Sequence, residues 1–237
     1  CTGYFERRVP IRGKLFYFSR FFIRLLVGHW RADVSERKGA AVYVCSHHNL
    51  LGPLAAMCWL PVEVRPWTLH VFLEREACAR HYREYTYSKR FGMPKFLAAA
   101  AAWMTSGYVS ALMRSMSAIP VYRGSVRIGT TFKETVAALQ AGESVLIFPD
   151  VDYTDDSGGI GEVYDGFLLL ERFWRKKSEE PLEFVPLRMD TASRRITEGR
   201  AVRFDRNAEW KAEMKRVREA LRTEINRDAQ PKLWMEG

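Results

Sequence analysis

Apolar positions along this chain follow two rhythms in turn. Short runs rich in β-branched and aromatic residues lie at 40–46 (AAVYVCS), 67–73 (WTLHVFL), 117–122 (SAIPVY), 143–149 (ESVLIFP) and 182–188 (LEFVPLR). Bounded by Gly, Pro or Ser, they read as strands. RRITEGRAVRFD, 194–205, reads as a late hairpin turning at Glu198-Gly199. Helical periodicity fills the intervals. Ser125 is placed to cap a helix running to Gln140, with Ile128, Phe132, Val136 and Leu139 on one face and Gly142 as the stop. Residues 74–90 and 96–114 are further helical candidates. Asn207 is placed to cap a last helix with the stripe Trp210, Met214, Val217, Leu221 and Ile225. Strand–helix alternation predicts an α/β domain with a largely parallel sheet and helices on both faces.

Two segments bear on membranes. KLFYFSRFFIRLLVGHW, 14–30, is aromatic-rich with basic breaks: Arg20, Arg24 and Arg31 follow one helical face, and Leu15, Phe18, Phe22, Leu25 and Leu26 fill much of the rest. Such a helix can lie in a bilayer interface, rings at the acyl boundary and arginines at the headgroups, or pack on its own core. The division that follows is an N-terminal amphipathic membrane-interface segment, 1–35, and an α/β domain, 36–237. FLAAAAAWMTSGYVSALM, 96–113, has eighteen residues without a charge, the length of a spanning helix. Its alanine run and its Thr, Ser, Gly and Tyr residues make it only mildly hydrophobic, and the expectation is a buried core helix.

Composition narrows the partners. The 237 residues are 47% hydrophobic, enough for one substantial core. A net charge of +9 calls for an anionic partner: nucleic acid, acidic lipid, a phosphorylated substrate or an acidic carrier protein. The basic residues are dispersed and no nucleic-acid recognition motif is present, which argues against the first. Cysteines at 1, 45, 58 and 78 form no CxxC and no dense framework, as in a reducing compartment.

Three stretches carry candidate chemistry. His47 and His48 leave a strand end, where α/β active sites commonly lie. Strand alternation would turn only one of them into a cleft. No acid lies between Arg37 and Glu63 to orient it. In AIPVYRG, 118–124, a strand delivers Arg123 and Gly124 just before a helix, where a guanidinium and a helix N-terminus suit a phosphate. In VLIFPDVDYTDDSGG, 145–159, four acids follow Pro149 within seven residues. Read as an EF-hand, that loop has Asp155 at position six and Gly161 at position twelve, which excludes it. Cys45, His47, His48 and Cys58 match no common zinc spacing, so no metal is expected. No G-x-S-x-G nucleophile elbow is present.

In their order these blocks resemble the PlsC-like glycerolphosphate and lysophosphatidate acyltransferases. That family carries N-H-x4-D, then G-x-[IV]-F-[IVP]-x-R, then F-P-E-G-T-R-S, then V-P. Here the blocks look like Ser46-His47 through Gly52, Ser117 through Arg123, Phe148-Pro149-Asp150, and Val185-Pro186, and Gly166 in YDGF resembles the region after the third block. The resemblance spans roughly residues 40–190 and implies a central mixed, largely parallel sheet flanked by helices. It implies a peripheral enzyme on the cytoplasmic side of the membrane. That enzyme moves a fatty acyl group from acyl-CoA or acyl carrier protein, a co-substrate rather than a cofactor, to a hydroxyl of a glycerolipid acceptor such as lysophosphatidate. His47 would be the general base and Asp150 would help arrange the acceptor. Arg123 with Gly124, Asn49 and Asp152 would bind substrate.

The chain departs from the pattern where the chemistry is most exacting. The family's Asp is Gly52, its Glu is Asp150, and G-T-R-S is Val151-Asp152-Tyr153-Thr154. Three outcomes stay open: Asp150 or Asp152 reaches His47, a neutral group such as Asn49 fixes the imidazole, or the chain is a catalytically inactive relative that binds lipid or acyl chains. The acids after Pro149 also favour an acceptor less anionic than lysophosphatidate. Acidic membrane lipids are the expected surface partner, and the oligomeric state is not fixed.

Overall fold

The strand β2 (Val42–Cys45) is wholly buried, and its period of two divides the interior. Val42 and Val44 join one core; Tyr43 and Cys45 join another. A strand apolar on both sides must be covered on both sides. The computed structural model describes residues 11–35, 37, 39–48, 50–151 and 160–227.

Six more strands complete the sheet: β1 (Arg31–Asp33), β3 (Val64–Leu69), β4 (Ile119–Val121), β5 (Ser144–Ile147), β6 (Phe184–Asp190) and β7 (Arg195–Glu198). Their order is β1-β7-β6-β2-β5-β3-β4. All neighbours run parallel except β6 and β7. This is the expected mixed, largely parallel α/β sheet, with helices on each face. The first core is roofed by α5 (Ile128–Gln140), α6 (Leu170–Trp174) and α7 (Trp210–Asn226) through Phe132, Leu170 and Leu221. The second is roofed by α1 (Lys14–Val27) and α2 (Leu51–Trp59) through Phe16, Ala55 and Met57, with Leu112 and Met113 of α4 (Lys95–Ser115) at its margin. Helix α3 (Arg75–His81) packs on α4 and continues as a π-helical stretch, Tyr82–Arg90.

Local capping differs from the sequence expectation in three places. The late hairpin turns before β7, not at Glu198-Gly199. Asp190 closes that turn, accepting from the backbone N–H of Ala192 and Ser193 (2.9 and 3.1 Å). Gly199 is still on the ladder, its N–H donating to Pro186 O (2.8 Å). Asn207 does not cap α7; its own N–H donates to Asp205 (2.9 Å), and Glu209 takes the cap by accepting from Lys211 and Ala212 N–H (3.0 and 2.8 Å). Ser125 sits one turn ahead of α5. Its hydroxyl accepts from Arg127 N–H (3.2 Å), and the helix starts at Ile128.

The two membrane-related segments also need correction. Arg31 lies in β1, not on the helix. Arg20 and Arg24 reach across to α2: Arg20 Nε donates to Cys58 O (2.7 Å), and Arg24, still exposed, donates to the same oxygen through Nε and Nη2 (2.9 and 2.6 Å). They satisfy a carbonyl in the last turn of α2, so both guanidinium groups are engaged by the chain itself. The outer face of α1 carries Phe18, Phe21, Phe22, Leu25 and Leu26, with Arg24 exposed on its flank. Helix α4 is not a buried core helix. Only Ala98, Ala102, Ser106 and Ser110 are buried, at intervals of four. These small side chains let α3 approach closely and leave the large apolar ones outside.

Candidate active site

Parallel pairing of β2 with β5 sets Val44 opposite Ile147. His47 and Asp150 each lie three residues further on (47 − 44 and 150 − 147), so both strand ends deliver their polar residue at the same level of the carboxyl rim. Asp150 is 8% exposed and accepts from three directions. The Ser46 hydroxyl donates to Oδ1 (3.0 Å), the His47 backbone N–H donates to Oδ2 (3.0 Å), and His47 Nδ1 lies 3.1 Å from Oδ2. A carboxylate oxygen accepts, so Nδ1 carries the hydrogen; in the neutral imidazole the lone pair is then on Nε2. The Phe148 ring, 5.0 Å from the imidazole, packs beside it. The His47 side chain remains partly open to solvent while Asp150 does not.

The pairing answers the absence of an acid near the histidines in sequence: the carboxylate comes from the neighbouring strand. Gly52 is needed for a separate reason. Its N–H donates to His47 O (2.8 Å), and a Cβ there would lie 2.2 Å from Ser46 O and 2.5 Å from His47 O. The turn that presents His47 is wound too tightly for a side chain at 52.

His48 is buried and has φ +42°. The two histidines already lie beyond β2. Their separation comes from this left-handed backbone rather than from strand alternation, on which the sequence expectation relied.

Arg123 lies two residues past β4 and is exposed, its guanidinium 4.4 Å from the Tyr164 ring centroid. Tyr164 in turn donates its N–H to Pro149 O (2.8 Å), and Val151 N–H donates to Glu162 O (3.0 Å). The chain thus returns antiparallel beside Asp150 and draws Arg123 toward the same rim. Gly166 makes room for this tyrosine, since a Cβ at 166 would meet its ring at 2.5 Å. Gly124 has φ +68°, a turn conformation suited to glycine. Strands β5 and β3 stand between β2 and β4, so the backbones carrying His47 and Arg123 are three strand spacings apart, about 14 Å. Asn49 and Asp152 lie outside the described residues.

Four rim residues escaped sequence reasoning in these roles: Ser46, Phe148, Tyr164 and His70. Ser46 and Phe148 adjoin residues that were singled out, so proximity was the available signal. His70 follows β3; its Nδ1 is 3.3 Å from Val121 O, and its ring stacks on Tyr122 at 4.8 Å. Its place between His47 and Arg123 depends on strand order, which the sequence does not display.

No family model and no curated protein matches the chain. Among solved structures, the crystal structure of the 1-acyl-sn-glycerophosphate (LPA) acyltransferase PlsC from Thermotoga maritima is similar, with a TM-score of 0.55 over 90% of this chain and 78% of that one, at 10% identity. The likeness is one of fold: the present chain shares the α/β architecture of that acyltransferase.

Proposed function

We propose that this chain is a membrane-surface acyltransferase that moves a fatty acyl group from an acyl thioester to a lipid hydroxyl. The observation that carries the reading is the His47–Asp150 pair on the carboxyl rim of a PlsC-like sheet. Asp150 holds the imidazole in the tautomer whose Nε2 is basic and stabilises the imidazolium that follows. His47 Nε2 takes the proton of the acceptor O–H as its oxygen bonds to the thioester carbonyl carbon. The tetrahedral adduct collapses, the C–S bond breaks, and the imidazolium returns its proton to the departing thiolate. The products are the lipid ester and free thiol, and no cofactor enters the balance.

Arg123 is the group best suited to hold an anionic part of the acceptor, with Gly124 giving backbone access beside it. The donor, coenzyme A or acyl carrier protein, is anionic and suits a chain of net charge +9. Acidic lipids, met first by α1, would be the docking surface. The rival reading, a silent lipid or acyl binder, is favoured by Gly52 standing where the family has its acid. The Asp150 contact to His47 weighs against it, since it replaces the missing orientation.

The test is thioester consumption. Purified protein with long-chain acyl-CoA or acyl carrier protein and a lysophospholipid should release free thiol and form diacyl product, and His47→Ala should do neither. Thiol release no faster than with His47→Ala, across phosphorylated and neutral acceptors, would leave the silent binder as the better reading.

A further inference from the structure

Helix α4 is amphipathic in the wrong sense for a soluble core. Its inner stripe is alanine and serine, while Phe96, Trp103 and Met104 stand 73%, 62% and 71% exposed. By length and composition it is the one candidate membrane span among the described residues, but it is packed along α3. A neighbouring helix shares the trait: in α1, Phe18, Phe22 and Leu26 stand 61%, 44% and 83% exposed.

The geometry makes these two faces one. Gly13 N–H donates to Ser115 O (2.7 Å), so the start of α1 meets the end of α4. Further along α1, the Tyr108 hydroxyl donates to Ser19 Oγ (2.8 Å). Contacts that advance along α1 from 13 to 19 retreat along α4 from 115 to 108, so the helices run antiparallel. At 100° per residue, Ser19 lies about 100° round from Phe18, and Tyr108 lies on the corresponding flank of α4, about 120–140° round from Phe96 and Trp103. Two antiparallel helices that meet on corresponding flanks turn their outer faces the same way.

We propose that α1 and α4 together form a flat two-helix face that seats on an acidic lipid bilayer, with α4 lying in the interface rather than crossing it. This rests on the membrane-surface reading above and extends it to a helix that begins 68 residues after α1 ends (95 − 27). Charge selects the occupant. Neither helix contains a single acidic residue. Lys14 and Lys95 stand exposed at the two helix starts, and the exposed Arg75 lies with its guanidinium 4.3 Å from the Trp103 ring centroid. An apolar plane edged by cations matches an acyl boundary beneath anionic headgroups. The hydrogen bonds of Arg20 and Arg24 to Cys58 O fix the tilt of α1, so that its aromatic face stays outward.

Flotation with vesicles of phosphatidylglycerol and phosphatidylcholine in equal parts tests this, with Trp103→Glu plus Met104→Glu set against Phe18→Glu plus Phe22→Glu. All four positions are exposed, so folding should survive, and circular dichroism checks it. Each pair should lower vesicle partitioning by roughly tenfold or more, since desolvated rings are lost and carboxylates added. An environment-sensitive dye on Met104→Cys should shift to the blue on vesicles, while the same dye on Lys215→Cys in α7 should not. Loss with the α1 pair but not the α4 pair would overturn this proposal and leave the membrane reading intact. Loss with neither would overturn both. A wild-type dimer that Trp103→Glu plus Met104→Glu dissociates, with no partitioning to vesicles, would assign the face to a second copy instead.

Discussion

At the scale of single residues, the proposed chemistry gives each group at the rim a separable effect. His47→Ala removes the proposed base and should lower acyl transfer by about 10²–10⁴-fold in single-turnover assays. Asp150→Asn leaves the shape, and its amide oxygen can still accept from His47 N–H and Nδ1–H, but the charge that would stabilise an imidazolium is gone; transfer should slow with the melting curve changed little. Gly52→Asp introduces the acid that the PlsC-like acyltransferase pattern carries, yet its Cβ would sit 2.2 Å from Ser46 O. It should destabilise by about 3 kcal/mol or more and raise no rate, read by thermal melting beside the transfer assay. Arg123→Ala should lower acceptor kcat/KM by roughly a hundredfold for phosphorylated acceptors and little for neutral ones. Equal loss for both would make Arg123 a partner of Tyr164 and nothing more.

Elements are held by charged groups that the hydrophobic pattern does not mark. Arg20 and Arg24 tie α1 to the end of α2 through one carbonyl, and burial lowers the pKa of Arg20. Replacing both with alanine should therefore act on stability first, by about 2–3 kcal/mol, seen as a lower urea midpoint without vesicles present. At the other end, Glu213 of α7 accepts from Asp205 N–H (2.6 Å) and pairs with Arg216 (2.5 Å). The hydrogen bonds from Arg216 hold its carboxyl below the usual range. A carboxyl depressed on folding stabilises above its unfolded pKa and loses that contribution as pH falls through the folded one. Glu213→Gln should be less stable than wild type at neutral pH by about 1–2 kcal/mol. The difference should close below about pH 4, measured by urea titrations at each pH.

Over the whole molecule, the placement of charge and apolar surface decides how the chain meets its partners. If a net charge of +9 acts through a lipid surface, vesicle binding should weaken as salt rises past physiological strength but persist in part, because the apolar face is not screened. Nucleic acid offers charge without an acyl phase. Filter retention of duplex DNA at physiological salt should accordingly be weak and sequence-independent, and tight retention would reopen that partner class.

Read alone, the sequence displays the α/β class, six of the seven strands, the long helices and the blocks that carry His47, Arg123 and Asp150. These follow from periodicity and short-range spacing, which local chemistry sets. It missed β1, too short to show alternation, and α2, an apolar run with no clear helical stripe. Tertiary structure alone decided that β2 and β5 are neighbours. That pairing brings Asp150, more than a hundred residues away, to His47 and supplies the acid its own loop lacks. It decided too that Arg20 and Arg24 are tied to Cys58 O and that α4 shows its large apolar side to the outside. A helical pattern fixes which residues share a face; only packing against the rest of the chain fixes which face is buried.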